Sequence, residues 1–357
     1  MSNSYGERFK ITVFGQSHAD AIGVVIEGIP AGTALDLPAI RAMLARRAPG
    51  NAPYATARRE PDLPEIVSGA TDGVTCGAPL CAIIRNKDAR SGDYDALRTV
   101  PRPSHADFAA YVKYGGQNDS RGGGSFSGRM TAPLVFAGAV AMQLLKEKGI
   151  TIGAHIAQIG AVKDEPFDAV NLDAAALDAL KEKQFCTQSD AAGEAMREAI
   201  AAAKAGGDSL GGIIECAATG LPVGLGEPMF GGLENEIARC VFAIPAVKGI
   251  EFGSGFAGAA LRGSENNDPF CVQGGVVRTE TNRHGGILGG LASGMPVVFR
   301  AAFKPTPSIA LPQRSVDLAA GQPVTLEIPG RHDPCVVPRA VPCVEAACAL
   351  ALANLIF

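Results

Sequence analysis

The chain carries no surplus of positive charge. Lys and Arg number 32 against 36 Asp and Glu, giving a formal net charge of −4 and a pI near 5.8. A protein that coats nucleic acid needs a basic face, so any anion site here must be a local pocket. Nine cysteines occur, an odd number, and none forms a CxxC pair. A disulfide framework and a clustered zinc site are therefore not expected, and reduced thiols are. No apolar signal core lies in MSNSYGERFK. The apolar runs 133–145 and 344–357 read as too short and interrupted to span a membrane. These features predict a cytoplasmic protein with no membrane and no nucleic-acid partner. There is no repeat of fixed period, and the glycine-rich segments match neither the Rossmann nor the Walker spacing.

What is present is a long apolar chain with many turns. Its 357 residues are 47% hydrophobic and include 44 glycines and 24 prolines. That suits a mixed enzyme fold better than a helix bundle. The patterning predicts strands at 9–14, 23–29, 65–67, 78–84, 151–162, 211–218 and 296–302. It predicts helices at 37–47, 132–148, 171–185, 190–204 and 233–242, and a buried terminal helix at 341–357. Asp190 is a plausible N-cap. Residues 86–100 read as a polar loop. Strands and helices alternate without clean βαβ units, so an α+β fold with antiparallel sheets is expected.

The chemistry-bearing residues sit in loops. RGGGSFSGRMTA at 121–132 combines three glycines, two serines and two arginines ahead of a helix start. Glycines can turn N–H groups toward one point, and the helix end favours an anion. The connection after the first strand carries Ser17 and His18. Pro103 stiffens the segment that holds Arg102 and His105. Lys304, Thr306 and Ser308 lie between Pro305 and Pro307, and RHDPC follows at 331–335. Arg41, Arg46, Arg47, Arg58 and Arg59 suggest a basic surface. His155 looks structural. Histidine titrates near ~6.5 and so serves as a proton donor or acceptor at neutral pH. On these residues alone, the protein reads as an enzyme acting on a phosphorylated, carboxylated small molecule.

GQSHA at 15–19, RPSHAD at 102–107, RGGGSFSGRMTA, AVKGIEFG at 246–253, HGGILGG at 284–290, KPTPS at 304–308 and RHDPCVVPRAVP at 331–342 follow one another in this order. Together, and over nearly the whole chain, they resemble the chorismate synthase family. The resemblance implies one domain over 1–357, a β-α-β sandwich with antiparallel sheets around helices, and a homotetramer. It implies trans-1,4-elimination of phosphate from 5-enolpyruvylshikimate 3-phosphate to give chorismate, with reduced FMN. NADPH or a separate flavin reductase would keep the FMN reduced.

The resemblance also implies roles. His18, with Ser17 beside it, would donate a proton to the departing phosphate. His105 would stabilise charge on the reduced flavin. Asp333 would relay a proton, and Ser127 would stand beside the reacting groups. Ser125, Phe126, Ser127, Pro245, Ala246, Gly289, Lys304, Pro305, Thr306, Pro307, Ser308 and Arg331 match cofactor-binding positions. Arg47, Arg129 and Arg331 match positions that bind substrate or NADPH. No metal is implied. Gln16, Ala19, Ser104, Ser125, Phe126, Ala48 and Pro53 depart from the family's commoner residues, and the last two replace arginines. The alternative is another FMN-dependent lyase or reductase on a phosphorylated carboxylic acid.

Overall fold

The computed structural model describes residues 3–49, 60–87, 98–328 and 333–357. Two five-stranded sheets, antiparallel throughout, flank a layer of helices. The first runs in the order Ser4–Tyr5, Lys10–Gly15, Ala21–Glu27, Leu80–Arg85, Pro64–Ser68. The second runs Val247–Phe252, Val297–Phe303, Gly212–Thr219, Thr151–Ile159, Val162–Lys163. The fold is therefore α+β with antiparallel sheets, as the patterning predicts.

Two helices fill the middle. Thr131–Glu147 packs on strands of both sheets, and Val337–Ile356 packs along it and against the second sheet. Every residue from Thr131 to Ala141 is buried, as is every residue from Ala340 to Ala353. Helices that are apolar all round belong in a core. Their crossing is close because Gly138 has no side chain: a Cβ there would stand 2.2 Å from the Cβ of Ala346. The terminal helix begins four residues before the predicted start, with Pro338 in its first turn, where a missing N–H costs nothing. The core segments Gly128–Glu147 and Val337–Ile356 are thus long and apolar enough to cross a membrane, contrary to the sequence reading. Burial of 72% and 78% of their most apolar windows assigns that surface to the protein's own interior.

Glu345 lies inside this layer with no exposure. Arg46 reaches it with two bonds of 2.7 and 2.9 Å, and the backbone N–H of Ala154 donates to it at 3.2 Å. Arg46 therefore ties the helix Leu37–Arg47 to the terminal helix and does not form part of a basic surface. His155 is likewise structural, set between Asp164 and Glu215 at 3.1 Å each. Asp190 is not the N-cap. Ser189 is, and its side chain accepts from the backbone N–H of Ala192. The short helix Asp107–Lys113 has no counterpart in the sequence reading.

Candidate active site

The glycine loop is the hub. Gly122, Gly123 and Gly124 have φ of 59°, 89° and 53°, a run that side chains rarely adopt. Their backbone lies between two histidines. A Cβ on Gly122 would stand 2.2 Å from Cε1 of His18 and 2.8 Å from Oγ of Ser17, and one on Gly123 would stand 3.2 Å from Nε2 of His105. The backbone N–H of Ser17 donates to the carbonyl of Gly124 at 3.1 Å, pinning the two loops together. His18 is buried, with its Nδ1 3.2 Å from Oγ of Ser17.

His105 is fixed from the other side. Its Nδ1 is 2.6 Å from Oδ1 of Asp107, whose carboxylate also takes Nε and Nη2 of Arg102 at 2.7 and 2.9 Å. Burial alone would raise the Asp107 pKa, but the bonds from Arg102 and His105 hold it well below the usual range. Arg102 also reaches Oγ of Ser308 at 3.4 Å, which joins this loop to the segment 304–308. Lys304 there donates its backbone N–H to the carbonyl of Ala246 at 3.0 Å. Burial and the nearby Lys248 lower the Lys304 pKa. Among the described residues no carboxylate pairs with it.

Two further arginines are buried below His18. Arg47 donates to Oδ2 of Asp62 at 2.5 Å, to Oγ1 of Thr131 at 3.0 Å and to the carbonyl of Gly128 at 3.3 Å. Arg129 takes the other oxygen of Asp62, and its Nε donates to Oδ1 of Asn86 at 2.9 Å. Asn86 holds the carbonyls of Gln16 and Ala19, so the arginine cluster and the His18 turn are one network. Burial would raise the Asp62 pKa, but the two guanidinium groups outweigh it. Arg339 donates to the carbonyl of Arg47 and to Asp333. Of the predicted basic surface, Arg46 and Arg47 are thus turned to carboxylate partners, on Glu345 and Asp62, while Arg41 is exposed. Arg121 faces Asp119, with which it makes three bonds, one from its backbone N–H and two from its side chain.

Two buried side-chain atoms among the described residues lack a hydrogen-bond partner: Nη2 of Arg129 and Oγ1 of Thr306. Both belong to predicted site residues. Nη2 of Arg129 is paired by charge with Oε2 of Glu60 at 3.7 Å, so it is Oγ1 of Thr306 that points to a ligand, since buried polar atoms are nearly always satisfied.

The structure thus brings Ser17, His18, His105, Ser127, Arg47, Arg129, Ala246, Lys304, Thr306, Ser308 and Asp333 into linked loops. Ser127 accepts from the backbone N–H of Arg129 at 3.2 Å. Pro245 precedes Ala246, and Pro305 and Pro307 frame Thr306. Ser125 and Phe126 are exposed on the glycine loop. Gly289 sits at the exposed turn between Ile287–Leu288 and Leu291–Ala292. Arg331, His332, Arg58, Arg59, Pro53 and residues 88–97 of the polar loop lie outside the described residues. Sequence reasoning missed Asp62, Glu60, Asn86, Arg339 and Asp107 as site residues. Asp107 and Arg339 stand within quoted motifs. Asp62 and Asn86 carry no local signal. No group of three or more metal-ligating side chains occurs among the described residues. The glycine-dense turn 284–290 is held by its own contacts, with His284 bonded to Asp268 and, at 2.9 Å, to Oγ of Ser293.

A sheet–helix–sheet sandwich with two histidines against one glycine loop, joined to buried arginines, defines an enzyme acting on an anionic small molecule. A family model described as chorismate synthase matches residues 9–357. Proteins named chorismate synthase from Dehalococcoides mccartyi and Methanocella arvoryzae are 49% and 47% identical. Each alignment covers 99% of this chain, and 96% and 93% of the respective relative. A crystal structure titled as chorismate synthase superposes with a TM-score of 0.76 at 27% identity, covering 98% of this chain and 92% of that one. The chain belongs to the chorismate synthase family.

Proposed function

We propose that the protein is a carbon–oxygen lyase that removes phosphate from 5-enolpyruvylshikimate 3-phosphate by trans-1,4-elimination, giving chorismate for aromatic biosynthesis. The observation that carries this reading is the pair of histidines, His18 and His105, packed against one glycine loop and wired to buried arginines in a chain of this family. Nothing in the site favours the alternative lyase or reductase.

The family is flavin-dependent, and the residues present fit FMN. Lys304 provides a cation for anionic oxygen. Oγ1 of Thr306 is buried with no hydrogen-bond partner among the described residues. Ser125, Phe126, Ser127, Pro245, Ala246, Pro305, Pro307, Ser308, Gly289 and Arg331 complete the proposed cofactor set by family position. Bound there, reduced FMN would supply electron density to the substrate ring, with no net redox change.

His18 gives a proton to the departing phosphate, with Ser17 steadying the ring. Arg129, Arg47 and Arg331 bind anionic oxygens, and fixed cations in a dry site stabilise developing charge without reorganising. His105, at the opposite side of the glycine loop, would stabilise charge on the reduced flavin, the role its family position implies. Asp333, held by Arg339, passes a proton on. A homotetramer is supported by family habit and by apolar side chains left on the surface: Phe230, Phe256 and Phe270 are 86%, 84% and 71% exposed. The same family assignment supports a cytoplasmic location.

The decisive assay is anaerobic phosphate release from 5-enolpyruvylshikimate 3-phosphate, run with dithionite-reduced FMN and again with FMN plus NADPH. Release in the first arm is expected. Its absence there removes the reading. The second arm reports whether this chain reduces its own flavin with NADPH or needs a separate reductase.

A further inference from the structure

The proposed function gives His105 a task but does not say which ring nitrogen performs it. The surrounding bonds decide that. Asp107 uses both oxygens: Oδ2 accepts the backbone N–H and Nε of Arg102 at 3.0 and 2.7 Å, and Oδ1 accepts Nη2 of Arg102 at 2.9 Å. The carboxylate cannot turn without losing several of these bonds. Its Oδ1 stands 2.6 Å from Nδ1 of His105. Nη2 of Arg102, which only donates, also stands 3.2 Å from Nδ1 and by itself would favour a lone pair there, but it already donates to Oδ1 of Asp107 at 2.9 Å, and the carboxylate oxygen is the nearer partner of Nδ1. An unprotonated Nδ1 would place its lone pair against an ionised carboxylate at 2.6 Å. A protonated Nδ1 makes a charge-assisted bond there. The proton therefore belongs on Nδ1. Nε2 is the atom turned to the glycine loop, 3.2 Å from where a Gly123 Cβ would stand.

We propose that Asp107, locked by Arg102, is a positioning residue that fixes His105 as the Nδ1–H tautomer and presents Nε2 to the reacting groups. With both carboxylate oxygens taken by Arg102 and His105, Asp107 acts through the His105 ring. Orientation of an imidazole by a buried carboxylate is a general device, and its loss costs rate through the wrong tautomer. Because Arg102 also holds Ser308, the same lock ties the His105 loop to the segment 304–308. The inference rests on His105 being part of the reaction proposed above, but the tautomer can be tested without turnover.

The experiment uses full-length protein labelled with 15N-histidine, observed at a pH where the His105 ring is neutral. The His105 signal is identified by its loss in His105→Gln. In the wild type, Nδ1 is expected to carry the proton; a proton on Nε2 overturns the proposal with no variant needed. In Asp107→Asn, whose side chain can donate to Nδ1, the proton is expected to move to Nε2. There kcat is expected to fall about 100-fold or more with KM changed by less than about threefold. Asp107→Glu should restore part of that rate. In a His105→Gln background, Asp107→Asn should reduce kcat by no more than about twofold further, because its effect runs through the ring. An unmoved tautomer, or near-normal kcat in a folded Asp107→Asn enzyme, overturns the role. If the wild type itself releases no phosphate, the proposed reaction fails while the tautomer result stands separately.

Discussion

Gly122 and His18 are in contact at the one face of the imidazole that no side chain could share: a Cβ on Gly122 would lie 2.2 Å from its Cε1 and 2.4 Å from its Nδ1. The glycine run is therefore a mould for two histidines, more than a flexible phosphate loop. Gly122→Ala must displace His18 and adopt a left-handed backbone costing about 1–2 kcal/mol. We expect the variant to fold, by circular dichroism, and to lose about 100-fold or more in kcat for phosphate release. Activity within threefold of wild type would mean that His18 does not need this position.

The two histidines should not be equivalent to surface histidines. His18→Ala and His105→Ala are each expected to lower kcat by about ten-fold or more, the range of acid–base groups. Initial-rate measurements with reduced FMN check this. Near-normal turnover in either removes that residue from the mechanism.

The helix crossing at Gly138 gives a test confined to stability. In Gly138→Ala the new methyl would press on Cβ and Cα of Ala346, at 2.2 and 2.5 Å. Two helices must part, and overpacking of this kind costs about 1–3 kcal/mol. Denaturant midpoints of the two proteins measure the cost. A midpoint equal to that of wild type would show that the crossing is looser than described.

The pair Arg46 and Glu345 tests the buried charges. Glu345→Ala leaves a guanidinium facing an apolar layer and is expected to cost about 3–5 kcal/mol. Replacing both, as Arg46→Met with Glu345→Met, should recover most of that loss, since no charge is then stranded. Chemical denaturation of the single and double variants compares them. A double variant as unstable as Glu345→Ala would locate the damage in packing instead.

His155 makes stability depend on pH. Burial lowers its pKa, but Asp164 and Glu215 outweigh that and raise it. A raised folded pKa means that the imidazolium stabilises the fold. This contribution is fully present below the unfolded value of about 6.5 and is lost as pH rises through the folded value. Asp164 shifts the opposite way, so its own contribution is present above about 3.9 and fades as pH falls through its lowered folded value. Wild type should therefore exceed His155→Gln in stability by more at pH 6 than at pH 9. A constant difference across that range would remove the linkage.

The legible part of the structure is the part written locally. The helix Leu37–Arg47 appears with the predicted bounds, because a proline, an apolar spacing and a Pro-Gly stop are all within its own eleven residues and their flanks. The strands and the two central helices emerge within a few residues of expectation for the same reason. Asp107–Lys113 did not, since its seven residues are too few to show a period. Among site residues, Ser17, His18, His105 and Asp333 could be named because each sits in a motif. Asp62 could not, because what makes it part of the site is the meeting of Arg47 and Arg129, 82 residues apart in the chain.

The sequence by itself determined the α+β class, the family, and which residue types could carry proton transfer and anion binding. Periodicity, turn residues and ordered motifs are properties of neighbouring positions. Only the tertiary structure decided how the charges are used. Arg46 is spent on Glu345 inside the core, Arg47 and Arg129 share one carboxylate, and three left-handed glycines bring their backbone against two imidazoles. Each of these depends on distance between segments far apart in the chain, where burial makes an uncompensated charge too costly to leave alone.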